Sequence, residues 1–162
     1  MKNLLHYIMG GSILFFLMLS CQTPLLKIAL PPPVEPHYTE YLAADPILNA
    51  IAYVESKFDT TAVGASQDGG LLQITPILVK DVNKILEQRG DTLRYTLKDR
   101  FSRMKSIEMF YLYHDYYGNT KPETIARSWN AGPKWHTKDS LTDRYWNKVQ
   151  KALVLLEKKS DS

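Results

Sequence analysis

From residue 45 onward the apolar positions of this chain recur every three or four residues, and no segment alternates apolar and polar residues for long. The pattern opens at Asp45-Pro46, a good N-cap followed by a residue suited to the first helical position, where a missing N–H is harmless. Ile47, Leu48, Ile51, Ala52 and Val54 then share one side of a helical wheel. Thr75-Pro76 starts a second helix with Leu78, Val79, Val82, Ile85 and Leu86 on its apolar side and Gly90 as its stop. Residues 91–99 form a polar connection with little periodicity. A third helix is predicted over residues 102–117, carrying Met104, Ile107, Phe110, Tyr111 and His114 and closed by Gly118-Asn119. Pro122 begins a short helix through Ile125, Ala126 and Trp129, which Asn130-Ala131-Gly132-Pro133 breaks. Thr142 is expected to N-cap a last helix bearing Tyr145, Val149, Ala152, Leu153 and Leu156. Residues 60–72 leave room for a small Gly-containing turn or hairpin. The class is mainly α.

The stretch before residue 45 follows a different logic. Lys2 precedes a nearly unbroken apolar run from Leu4 to Leu19, and Ser20 and the lone cysteine, Cys21, follow directly. Residues 1–20 read as a bacterial secretory signal peptide, and Met18-Leu19-Ser20-Cys21 resembles a relaxed lipobox, with Cys21 as the lipidated first residue of the mature chain. The run is short for a membrane-spanning helix. Residues 21–44 then hold Pro24, Pro31, Pro32, Pro33 and Pro36, a composition that favours an extended, semi-rigid tether. The folded domain is expected to begin between Tyr38 and Asp45, and its assigned span is residues 45–158. One domain is the default at 162 residues.

Composition narrows the function by exclusion. A single cysteine rules out an intrachain disulfide and a Cys-based metal site. Removing Lys2 with residues 1–20 lowers the formal charge from +3 to +2, too mild to argue for nucleic acid. His6, His37, His114 and His136 are scattered without ligand spacing, so neither a metal nor another cofactor is expected.

One residue breaks the apolar pattern. At roughly 100° per residue, Glu55 lands near the middle of the first helix's apolar stripe. A carboxyl group there is unfavourable unless it is paired, protonated or functional. Its structural alternative is a helix-end ion pair with Lys57 or Arg127. Three islands now read together: Val54-Glu55-Ser56-Lys57-Phe58, Gly70-Leu71-Leu72-Gln73-Ile74-Thr75-Pro76, and Ser128-Trp129-Asn130-Ala131-Gly132-Pro133, with Thr142 and Tyr145 beyond them. This ordered set resembles the soluble lytic transglycosylase (SLT) family of the lysozyme-like superfamily, over about residues 45–156. Glu55, Ser56, Phe58, Ala62, Gly70, Leu71 and Gln73 keep the identities and spacing of the family's first motif, with Leu72 where Met is usual. Trp129 to Gly132 stand for Y-N-A-G, and Thr142 and Tyr145 for the Thr-x-x-Tyr of the last helix.

The resemblance implies a single lysozyme-like (goose-type/SLT) domain acting on peptidoglycan glycan strands. Glu55 would be the one catalytic acid/base, cleaving the MurNAc-β-1,4-GlcNAc bond and leaving 1,6-anhydro-MurNAc. Ser56, Gln73, Trp129, Asn130 and Tyr145 would form the substrate-binding walls. Ser56 suits a loop-ordering bond better than a nucleophile, Asn130 sits on a predicted turn, and Trp129 can stack on a sugar or fill core. Tyr111, Tyr113, Tyr116 and Tyr117 read as core plus cleft wall. A monomer held at a membrane by the Cys21 lipid is expected, in the periplasm or cell envelope. Two departures stand out: Gly64 replaces a usual Ser, and Gln67-Asp68 replaces a usual Gly-Ala pair. Asp68 and Asp59 are therefore candidates for a second carboxylate in a hydrolytic, muramidase-type alternative. The other alternative is a catalytically weak glycan-binding or scaffold lipoprotein.

Overall fold

A computed structural model describes residues 45–160. The expected signal peptide, Cys21 and the Pro-rich tether lie outside the described residues. Five α-helices occur among the described residues: α1 Pro46–Ser56, α2 Pro76–Gln88, α3 Arg103–Tyr116, α4 Pro122–Ala131 and α5 Asp139–Ser160. Short 3-10 turns at Leu97–Phe101 and Trp135–Lys138 precede α3 and α5. The expected turn at 60–72 is a loop closed by two isolated antiparallel bridges, Val63 with Gly69 and Gly69 with Ile74.

The caps follow local chemistry. Asp45 Oδ1 accepts from the N–H groups of Ile47 (3.0 Å) and Leu48 (3.2 Å), and Thr75 Oγ1 accepts from Leu78 N–H (3.1 Å). α1 is the central helix and packs against α4 and α5, while α2 packs on α3. Ile47, Leu48, Ala50, Ile51 and Ala52 are all buried, so α1 is covered around more of its circumference than one stripe, and Val54 is only half-buried. Tyrosine hydroxyls pin α3 to its surroundings: Tyr111 donates to Asp45 Oδ2 (2.8 Å), Tyr116 to Gln88 (2.7 Å) and Tyr117 to Asp81 (3.1 Å). Tyr113 lies in the core.

Three local expectations are corrected. Asn130 is not on a turn: α4 runs two residues further, to Ala131, and is capped by Gly132, whose N–H donates to Ser128 O at 2.8 Å and whose positive φ of 84° turns the chain off the helix. Thr142 is not an N-cap, because the 3-10 turn at Trp135–Lys138 leads directly into α5. Its hydroxyl is instead buried inside the helix's first turns and accepts from Arg127 Nη1 at 2.8 Å. The polar connection at 91–99 is also more structured than its composition suggests. Tyr95 is buried, with its backbone N–H and C=O both bonded to the Asn83 side chain at 2.8 Å.

Candidate active site

Glu55 occupies the last turn of α1, one residue before the chain leaves the helix through left-handed conformations at Lys57 (φ 57°) and Phe58 (φ 70°). Tyr145 of α5 is 8% exposed and donates its hydroxyl to Glu55 Oε1 at 2.6 Å, a charge-assisted distance. Two residues ninety apart in sequence thus meet because α1 and α5 pack together. Burial pushes the Glu55 carboxyl up from 4.5 to about 7. The Tyr145 hydrogen bond and the Lys148 charge pull the other way, and the Asp68 charge raises it further. Neither partner of the ion-pair alternative is engaged with Glu55. The Lys57 ammonium lies 3.9 Å from the Tyr53 ring centroid, and Arg127 pairs with Glu123 and Asp143 at 2.7 Å.

The remaining expected residues converge on the loop before α2. Ser56 Oγ donates to Leu71 O at 2.8 Å and so ties the end of α1 to that loop, the ordering bond its position suggested. Gln73, at a left-handed φ of 47°, donates its amide to Gly70 O (3.0 Å) and Ala62 O (3.2 Å). Trp129 Nε1 donates to Leu72 O at 3.2 Å, and its ring packs against Phe110 (5.1 Å) and His114 (5.7 Å). These contacts make Trp129 a strut between α4 and the loop. Asn130 follows it in the last turn of α4 and is exposed.

The loop's glycines answer to a neighbour that sequence reading missed. A Cβ on Gly70 (φ 77°) would lie 1.8 Å from the backbone oxygen of Arg100, and one on Gly69 would lie 2.8 Å from the Phe101 ring. Arg100 itself is buried and donates to three carbonyls: Gln67 (2.5 Å), Leu97 (2.8 Å) and Ile74 (3.1 Å). Nothing in the polar composition of residues 91–101 signals this staple; only the packing of the 3-10 turn against the loop does. Asp59, by contrast, is spent locally, accepting from Thr61 N–H and Oγ1 at 2.7 Å each. A groove of about 330 Å³ edged by Lys57, Lys148 and Lys151 also runs beside α1 and α5, but Glu55 does not line it.

An all-helical domain whose central helix ends in a partly buried acid, held by a tyrosine of the last helix, has the architecture of the lysozyme-like superfamily. The chain belongs to the transglycosylase SLT domain family, whose model matches residues 38–151. No curated protein and no solved structure matches it. Family membership carries a lytic-transglycosylase-type action on peptidoglycan as the coarse function.

Proposed function

We propose that this protein is a peptidoglycan lytic transglycosylase in which Glu55 alone serves as general acid and base. The observation that carries the reading is the Glu55–Tyr145 pair, an acid titrating at about 7 on a rigid helix end, held at 2.6 Å by a buried hydroxyl. Such a group is nearly balanced between giving and taking a proton at neutral pH. Protonated Glu55 donates to the glycosidic oxygen, and the MurNAc C1–oxygen bond breaks to leave a GlcNAc hydroxyl. The carboxylate then takes the proton of the muramyl C6 hydroxyl as O6 bonds to C1. No water is consumed, and Glu55 ends protonated as it began. The muramyl N-acetyl oxygen can stabilise the cationic centre between the two steps, so a second carboxylate is not required. Ser56, Gln73 and Trp129 fix the loop against which the glycan would lie; Asn130 is the exposed candidate for contact with it.

Mass spectrometry of soluble products from sacculi tests this directly. The expected result is fragments ending in 1,6-anhydromuramic acid, one water lighter than hydrolytic products, lost in Glu55→Gln. Reducing-end products lost in the same variant would establish the second reading, a muramidase. One observation favours that reading: the Asp68 charge reaches Glu55, whereas Asp59 is turned toward Thr61. No products from folded protein would leave a glycan-binding lipoprotein. We further propose that Cys21 carries a lipid that holds the enzyme at the membrane face of the cell envelope, with residues 22–44 as tether. Mass spectrometry of the mature N-terminus that finds Cys21 without an acyl group would refute the anchor.

A further inference from the structure

We propose that Asp68 is a substrate-positioning residue of this site, occupying the space a side chain at residue 64 would fill and accepting a hydrogen bond from the glycan beside the bond that Glu55 protonates. The proposal rests on the glycan-cleaving reading above. Residues 64–68 close a tight loop, with Gly64 N–H on Asp68 O at 2.9 Å and Gln67 N–H on Gly64 O at 3.2 Å. The Asp68 side chain folds back across Gly64. A Cβ built on Gly64 would lie 2.8 Å from Asp68 Oδ2, 3.3 Å from Asp68 Cβ and 2.7 Å from Gln73 Oε1. Three side chains therefore compete for one volume, and the glycine yields it to the other two.

What fills that volume is one-sided in its chemistry. Gln73 spends its amide N–H groups on Ala62 O and Gly70 O, which fixes its carbonyl oxygen as the end facing Gly64. Asp68 Oδ2 faces the same point, so two acceptors meet there. Asp68 Oδ1 is buried and has no hydrogen-bond donor. A carboxylate short of donors is unfavourable in the fold, and a ligand that donates to its other oxygen, Oδ2, relieves it. The glycan offers uncharged donors of the right kind, an N-acetyl N–H or a ring hydroxyl. Asp68 belongs to the same centre because it packs with Gln73 on the loop that Ser56, the residue after Glu55, ties to the end of α1 through Leu71 O at 2.8 Å; its charge also raises Glu55.

A double-mutant cycle on sonication-solubilised sacculus fragments tests this, with circular dichroism confirming that each variant folds. Asp68→Ala is expected to raise KM about tenfold with kcat nearly unchanged, and Asp68→Asn, which keeps an acceptor oxygen in the same shape, to recover much of that loss. Gly64→Ser alone is expected to impair the enzyme by crowding Asp68 and Gln73. Gly64→Ser with Asp68→Ala is expected to perform better than Gly64→Ser alone, because the serine then has the space. Unchanged KM in Asp68→Ala, or losses that simply multiply in the double variant, would overturn the proposal. A fall in kcat alone, with hydrolytic products from the unmutated enzyme, would overturn it in favour of a water-activating carboxylate. Absence of any product from the folded unmutated protein would instead bring down the glycan-cleaving reading, and this proposal with it.

Discussion

Replacing Glu55 by Gln should stabilise the protein, and only at the alkaline side. Burial holds the Glu55 carboxyl at about 7 in the fold against 4.5 for an unburied glutamate. An acid shifted upward is favoured in its protonated form, so its contribution is intact below about pH 4.5. It declines as the unfolded chain begins to ionise and is fully lost above about 7. At about 1.4 kcal/mol per unit, the full loss is on the order of 3 kcal/mol. Between about pH 5 and pH 8.5 it grows by roughly 2 to 3 kcal/mol. Gln does not ionise, and its carbonyl oxygen can still accept from Tyr145. Urea unfolding of both proteins at the two pH values, followed by tryptophan fluorescence, reads the difference. Stability of the variant relative to the parent should rise by that amount, roughly 10 °C in Tm for a domain of this size. A difference that stays flat with pH would show that Glu55 titrates like an exposed carboxylate, and would remove the physical basis for its acid role.

Three other outcomes follow from the same contacts. Tyr145→Phe removes the donor that lowers Glu55, so the alkaline limb of the pH–rate profile should move to higher pH. The maximal rate should fall on the order of tenfold, as expected for a lost charge-assisted bond; an unmoved limb would exclude the coupling. Gly70→Ala drives a methyl against Arg100 O and should cost more than about 3 kcal/mol in urea unfolding. Gly90→Ala, with a similar positive φ but open space, should cost about 1 kcal/mol, and equal losses would refute the steric account. His114 is buried and held neutral, its pKa lowered by desolvation from 6.5 to about 4. As pH falls from about 6.5 toward about 4 the unfolded chain takes a proton that the fold refuses, a loss on the order of 3 kcal/mol. His114→Phe should flatten that acid limb of stability, and a limb of unchanged slope would contradict the burial argument.

Much of this molecule is written locally. The helices, most of their caps and the mainly α class follow from residues within a turn of one another, because spacing, an Asp or Thr hydrogen-bond acceptor and a following proline act over a few residues. The acid on the apolar face of α1 was legible in the same way, since its oddity depends only on its place in the helix. What local pattern could not decide lies where distant segments meet. Thr142 reads as a cap until Arg127 claims its hydroxyl. Asn130 reads as a turn residue until α4 is seen to continue to Ala131. Arg100 is an unremarked cation in a polar stretch until its three carbonyl partners appear around it. Sequence alone marked Gly64 and Asp68 as two separate departures from a family pattern; packing makes them one, because both draw on the same few cubic ångströms beside Gln73. The proton affinity of Glu55 is likewise tertiary. It is set by the desolvation that the surrounding packing imposes and by Tyr145, Asp68 and Lys148, none of which is a neighbour of Glu55 in the chain.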